Sequence, residues 1–267
     1  MYKDFFIPEN SQDNFKILNN LDGKFSYYAG GITINWRGTN SDYLISLEKI
    51  INKTITEKND IIEIGAGIKL SELQKLNNTS YSEIFKGLVK AAEFIASPQI
   101  RNMATLGGNL ISQFDFSDTL GFIYLLKPDI KIINENGPQT LKFNEFYNDK
   151  TSKFSLPYKT ILNSFEFKKT ELEKYDYSDF IKESRVGRDI STISVTVLKN
   201  KSDSKFSIAI GSYWLNTECF YEIETIDSVF EIIKNKPDPK TDVRASSEYR
   251  KKILKYLIET AVFKNNY

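Results

Sequence analysis

The 267-residue chain has no histidine and a single cysteine. Without imidazole there is no Ser-His-Asp triad, no histidine-ligated metal and no histidine acid or base. One thiol, Cys219, excludes an internal disulfide, a four-thiolate zinc site and an iron–sulfur cluster held by this chain alone. On its own it reads as a packed residue. An excess of one charge is missing too: 36 lysines and arginines face 35 aspartates and glutamates. No field favours nucleic acid or an anionic membrane. Long hydrophobic runs are absent, and nothing approaches the roughly eighteen apolar residues of a membrane span. The N-terminal MYKDFFIPENSQDNF carries charges and a proline where a signal peptide has its apolar run. The expectation is a cytoplasmic protein without nucleic-acid or membrane partners and without a metal of its own. Any redox chemistry here needs an organic cofactor.

What is present is the composition of a folded globular chain, 40% apolar and 27% charged. KFSYYAGG (Lys24–Gly31) reads as an aromatic strand ending at a glycine pair. DYLISLEKI (Asp42–Ile50) alternates and then turns helical in pattern, and NDIIEIGAG (Asn59–Gly67) is a strand entering a tight turn. Ser71 and Gln74 have the spacing of a capping box for a short helix. Ser82–Ala96 places Ile84, Leu88, Ala91, Ala92 and Ile95 on one helical face, and Pro98 stops it. FSDTLGFIYLLKP is a buried helix that Asp118 can cap, followed by the strand and turn of DIKIIN and ENGP. Tyr158–Lys169 is a strand. RDISTISVTVLKNKSDSKFSIAIGSYW is a strand pair, and helices follow near Ile226–Asn235 and Ser246–Phe263. Strands and helices lack a regular βαβ period, so the class is α+β. The charge-rich KKTELEKYDYS divides the chain into residues 1–168, with an internal division near 55, and residues 169–267.

Two adjacent glycine pairs stand out, Gly30-Gly31 and Gly107-Gly108. Glycine reaches positive φ and has no Cβ, so consecutive N–H groups can meet an anion. One pair alone is more often an ordinary turn; two pairs can cradle a diphosphate. Thr33, Thr105 and Asn109 stand beside them as further donors or bridges. No GxxxxGK[ST] occurs, and GAGIKL lacks the third glycine of a dinucleotide fingerprint.

YYAGGITI, IIEIGAGIKLSEL and SPQIRNMATLGGNL, in this order and spacing, resemble the FAD-binding subunits of molybdenum hydroxylases, the family of xanthine dehydrogenase and aerobic carbon monoxide dehydrogenase. FSDTL, RVGRDISTISVTV and DVRASSEYRKKIL extend the resemblance over nearly the whole chain. It implies a two-part FAD-binding domain of the PCMH type followed by a smaller α+β domain of the carbon monoxide dehydrogenase flavoprotein type. It implies one diphosphate loop at Ala29, Gly30, Gly31, Ile32, Thr33 and Ile34, and a second at Thr105, Leu106, Gly107, Gly108 and Asn109. Asp118 matches an aspartate at the ribityl part of FAD, and Lys182 a lysine near the flavin; unaided, these would be a helix cap and a solvated strand residue. Phe180 and Ile161–Ser164 would border the isoalloxazine. Ile32 stands where the family has a polar residue. The implied role is electron transfer from iron–sulfur centres on one partner subunit to NAD, oxygen or another carrier, with hydroxylation on a molybdopterin-binding catalytic subunit. No catalytic acid or base is then required of this chain. A free-standing flavin oxidoreductase and a scaffold that has lost FAD are the alternatives.

Overall fold

The computed structural model describes residues 2–148, 151 and 153–263. Strands β1 (Asp4–Phe6), β2 (Phe25–Tyr28) and β3 (Tyr43–Ser46) form a parallel three-stranded sheet in the order β1-β3-β2. Parallel strands need crossovers, supplied by helices α1 (Ser11–Asn20) and α2 (Ile32–Arg37). Asn10 caps α1 by accepting the Asp13 N–H at 2.9 Å, and the helix buries Phe15 and Leu18 against Ile45. The helical pattern after β3 forms only a turn, in which the Ile50 and Ile51 N–H groups both reach the Leu47 carbonyl at 3.0 Å.

The second sheet is antiparallel. Strands β4 (Ile55–Lys58), β5 (Ile61–Gly65), β6 (Asp129–Asn134), β7 (Gly137–Leu141) and β10 (Ile161–Lys168) run in the order β4-β5-β10-β6-β7. A separate ribbon pairs β8 (Tyr147–Asn148) with β9 (Lys153–Phe154). Ile62, Ile64, Ile130, Ile132, Phe165 and Phe167 carry the core face. The central strand bulges between Leu162 and Ser164. The Asn163 carbonyl released there accepts the Ala66 N–H at 2.8 Å, which fixes the turn after β5.

That turn leads into a 3-10 segment, Leu70–Asn78. Its start is held by the Glu72 carboxylate accepting the Lys69 N–H, 3.3 Å away, in place of the expected Ser71–Gln74 box. Helix α3 (Ser82–Glu93) buries Ile84, Leu88, Ala91 and Ala92, as its periodicity requires. Pro98 opens a new turn, α4 (Pro98–Arg101), with Ser97 as its cap. Proline fits the first helical position because its missing N–H would have no partner there. Helices α5 (Leu106–Ser112) and α6 (Leu120–Leu126) follow.

After α7 (Lys169–Leu172), strands β11 (Tyr175–Glu183), β12 (Ile193–Asn200), β13 (Phe206–Gly211) and β14 (Glu218–Ile223) make an antiparallel meander. Helices α8 (Ile226–Ile233) and α9 (Ser247–Phe263) pack on one face through Val229, Leu254, Leu257 and Ile258. Helices α3 and α6 take the other face. Ser178 on β11 accepts the Gly87 N–H at 2.7 Å and donates to the Ile84 carbonyl at 2.6 Å, while Lys90 pairs with buried Asp179. Leu198 and Ala209 of this sheet join the core of the preceding one. Two helices therefore form a layer shared by both sheets.

Candidate functional site

Both glycine loops lie at the ends of secondary elements, and they meet. Gly30 follows β2 and sits against the backbone of Met103 and Ala104. A Cβ on Gly30 would stand 2.2 Å from the Met103 oxygen and 3.1 Å from the Ala104 Cα. Gly31 is buried and left-handed, with φ +72°, the backbone region that favours glycine. It opens α2 without any side-chain cap. Among the described residues, the consecutive backbone N–H groups of Gly30, Gly31, Ile32, Thr33 and Ile34 donate to no protein acceptor. Unpartnered N–H groups at a positive helix end suit an anion. Ile32 loses only a side-chain donor, since its N–H stays available.

The second loop is different. Thr105 caps α5, its hydroxyl accepting the Gly108 N–H at 3.1 Å. The Gly107 N–H donates to the Ala66 carbonyl at 2.8 Å, the Leu106 N–H to Ile68 at 3.0 Å, and the Asn109 N–H to Thr105 at 2.9 Å. The amides read from sequence as open to a ligand are engaged. Gly107 is glycine for another reason: a Cβ would lie 2.7 Å from the Ala66 Cβ, so the residue lets α5 close on the turn that the β10 bulge fixes. Gly108 is exposed, and a Cβ there would meet only the Thr105 hydroxyl. Leu106 is core. Half-buried Ala29 packs on the same core.

Asp118 does not cap α6. It is buried, and its carboxylate pairs with Lys182 at 3.2 Å while the Ser191 hydroxyl donates to its other oxygen. Burial pushes the Asp118 carboxyl above its ordinary value, opposed by the Lys182 charge and by both hydrogen bonds. Lys182 is no solvated residue either. Its ammonium also donates to the Phe94 and Asp189 carbonyls, each at 2.9 Å, so α3, the loop before α6 and the 184–192 loop meet on one nitrogen. Next to Asp118, the Thr119 hydroxyl donates to the Asn109 side chain, which links this pair to the second glycine loop. Phe180 is fully buried and lies tilted against Phe94, while Ile161, Leu162 and Ser164 are buried in β10 and Asn163 is half-buried.

The sequence missed Ser191 and Met103. Each acts on a partner far away in the chain, and neither carries a local pattern. Among the described residues, no cluster of histidine, cysteine, aspartate or glutamate could hold a metal ion, and no helix is long and apolar enough to cross a membrane.

A family profile described as the FAD binding domain in molybdopterin dehydrogenase matches residues 2–167. The xanthine dehydrogenase FAD-binding subunit of Escherichia coli O157:H7 is 24% identical over 215 residues, 75% of this chain and 73% of that protein. The nicotinate dehydrogenase FAD-subunit of Eubacterium barkeri is 27% identical over 151 residues, 54% of this chain and 50% of that protein. Two solved structures share the fold over nearly the full length. One is from a carbon monoxide dehydrogenase of Hydrogenophaga pseudoflava that lacks the Mo-pyranopterin moiety (TM-score 0.79, 18% identity, 98% of this chain and 96% of that one). The other is from quinoline 2-oxidoreductase of Pseudomonas putida 86 (TM-score 0.79, 16% identity, 99% and 96%).

Proposed function

From the premise that this chain belongs to the family of FAD-binding domains of molybdopterin dehydrogenases, we propose that it is the flavin-carrying, electron-transfer subunit of a multi-subunit molybdenum hydroxylase resembling xanthine dehydrogenase. FAD is its cofactor. The observation that carries the assignment is the row of unpartnered amides from Gly30 to Ile34, which suits a diphosphate in number and sign. Thr33 adds a hydroxyl. Thr105, Gly107, Gly108 and Asn109 form the facing wall, giving shape more than donors. Asp118 and Lys182 hold that wall to β11 and keep the 184–192 loop beside it.

When bound, FAD supplies two-electron storage with one-electron exchange. The residues of this chain bind and orient; none is needed as an acid or base, in keeping with the absence of histidine. With one cysteine the chain cannot house iron–sulfur centres. Those centres lie on one partner subunit, and hydroxylation takes place on a molybdopterin-binding second. The electron acceptor is NAD, oxygen or another carrier.

The test is purification of the assembly from its source, with flavin, iron and molybdenum quantified, alongside the isolated chain titrated with FAD. Stoichiometric flavin on the chain, and iron and molybdenum only in the assembly, are expected. A chain that stays colourless after incubation with FAD overturns the assignment.

A further inference from the structure

Helix α2 presents the diphosphate donors, yet its own anchorage is slight. None of its residues is buried, none belongs to a hydrophobic core, and no helix or strand packs broadly on it. A six-residue helix with no side-chain cap has little intrinsic stability. Its far end, however, meets a ladder of rings and cations. Trp36 lies edge-on to Phe114 with ring centroids 5.7 Å apart, and 6.4 Å from Phe116. Phe114 and Phe116 stack at 4.9 Å with an interplanar angle of 6°. The Arg37 guanidinium sits 4.0 Å over the Phe114 ring, and that of Arg244 lies 5.5 Å from the Phe116 ring. Arg244 is itself tied to Asp242, which also pairs with fully buried Arg250 of α9. The ladder thus runs from α2, over the loop between α5 and α6, to the strap before α9.

We propose that this ladder is the positioning device of the FAD site: Phe114, Phe116 and Arg244 hold Trp36 and Arg37, and through them fix the direction in which the Gly30–Ile34 amides point. Each rung is a known attraction, edge-on or stacked ring pairs and cations over ring faces. None of the five side chains needs to touch the cofactor. They act through the backbone of α2, whose tilt sets whether its first N–H groups aim together at one anion or splay. This rests on the FAD assignment above.

The experiment measures FAD dissociation from the full chain by stopped-flow after mixing with an excess of the apoprotein of an FAD-dependent oxidase, which traps released FAD. Replacing both rings (Phe114→Ala with Phe116→Ala) is expected to raise the dissociation rate about tenfold, equivalent to about 1.4 kcal/mol, with unchanged far-ultraviolet circular dichroism. Phe114→Tyr, which keeps the stack, is expected to retain the wild-type rate. Arg37→Met, on an exposed residue that cannot threaten folding, should shift the rate in the same direction by less. Emission assigned to Trp36, by subtraction of a Trp36→Phe variant, should move to longer wavelength when the rings are removed. An unchanged dissociation rate in the double alanine variant, or an equal increase in Phe114→Tyr, overturns the ladder while leaving the FAD assignment intact. A wild-type chain that binds no FAD overturns both.

Discussion

Substituting Gly30 by alanine tests how the two glycine loops depend on each other. The added Cβ would stand 2.2 Å from the Met103 oxygen and 2.9 Å from its carbonyl carbon, both backbone atoms. Relief requires a separation of roughly 1 Å to reach ordinary contact distance. Met103 and Ala104 cannot yield easily. The Ala104 N–H is held by Ile100 at 2.8 Å and its carbonyl by the Leu70 N–H at 3.0 Å. Overpacking of this kind costs about 1–3 kcal/mol, a fall in Tm of roughly 2–10 °C for a chain of this size. The larger effect falls on the cofactor. Displacing the first loop misaims the amides beyond Gly30, and loss of one hydrogen bond to a charged group is worth about 1.5–3 kcal/mol. That corresponds to roughly a tenfold to hundredfold loss of FAD affinity. Flavin fluorescence titration gives the affinity and calorimetry the Tm. Ser202→Ala, at an exposed position in the turn between β12 and β13, serves as the control and should match the wild type. Wild-type FAD affinity in Gly30→Ala would refute the idea that the loops share one fixed geometry.

Three further outcomes are expected. Lys182→Met leaves the buried Asp118 carboxylate without its cation, so it should destabilise by about 3–5 kcal/mol in denaturant titrations, and Lys182→Met with Asp118→Asn should recover most of that loss; a merely weakened flavin signal at full stability would contradict the buried pair. Gly108→Asp, at an exposed position whose added Cβ presses only on the Thr105 hydroxyl, should fold with at most a weakened α5 cap yet lose FAD through bulk and negative charge at the cleft; a full flavin spectrum would remove this wall from the site. Burial raises the Asp242 carboxyl, but the hydrogen bond from Arg250 and the backbone and charge of Arg244 outweigh it and hold its value well below the ordinary one. A depressed acid contributes stability above its unfolded pKa of about 4, and that contribution disappears as pH falls. Unfolding monitored against pH should therefore show a loss of stability below about pH 4 that Asp242→Asn flattens.

Much of the architecture is legible in the residues because the signals are local. The alternation and continuous apolar runs in β5, β6, β10, β12 and β13 reflect burial that each strand carries along its own length. The α3 face is read just as directly. Helix α1 escaped because it is short and largely polar, and α2 because it spans only six residues and buries none of them. The glycine pairs mark two loops that the fold brings together, but not the reason for glycine at Gly107. Its amide is taken by Ala66, which arrives from another segment, so no local pattern could tell an open N–H from an engaged one. Asp118 and Lys182 are likewise placed by long-range contacts. A helix cap and a solvated strand residue are reasonable readings until Ser191, Phe94 and Asp189 converge on them.

The layer of α3 and α6 between two sheets sets an order of events during synthesis. Both helices emerge from the ribosome before β11 to β13, so their outward faces wait uncovered until those strands exist. Gly87 and Gly121 bring the waiting faces flush with the strands that eventually cover them, and a Cβ on either would strike Ser178 or Thr196. A nascent chain that pauses after Lys168 is expected to expose apolar surface and bind a hydrophobic dye or a chaperone. Release is expected only when Phe206–Gly211 has been added. Completion of the carboxyl-terminal half is in that sense the last step in making the amino-terminal half soluble.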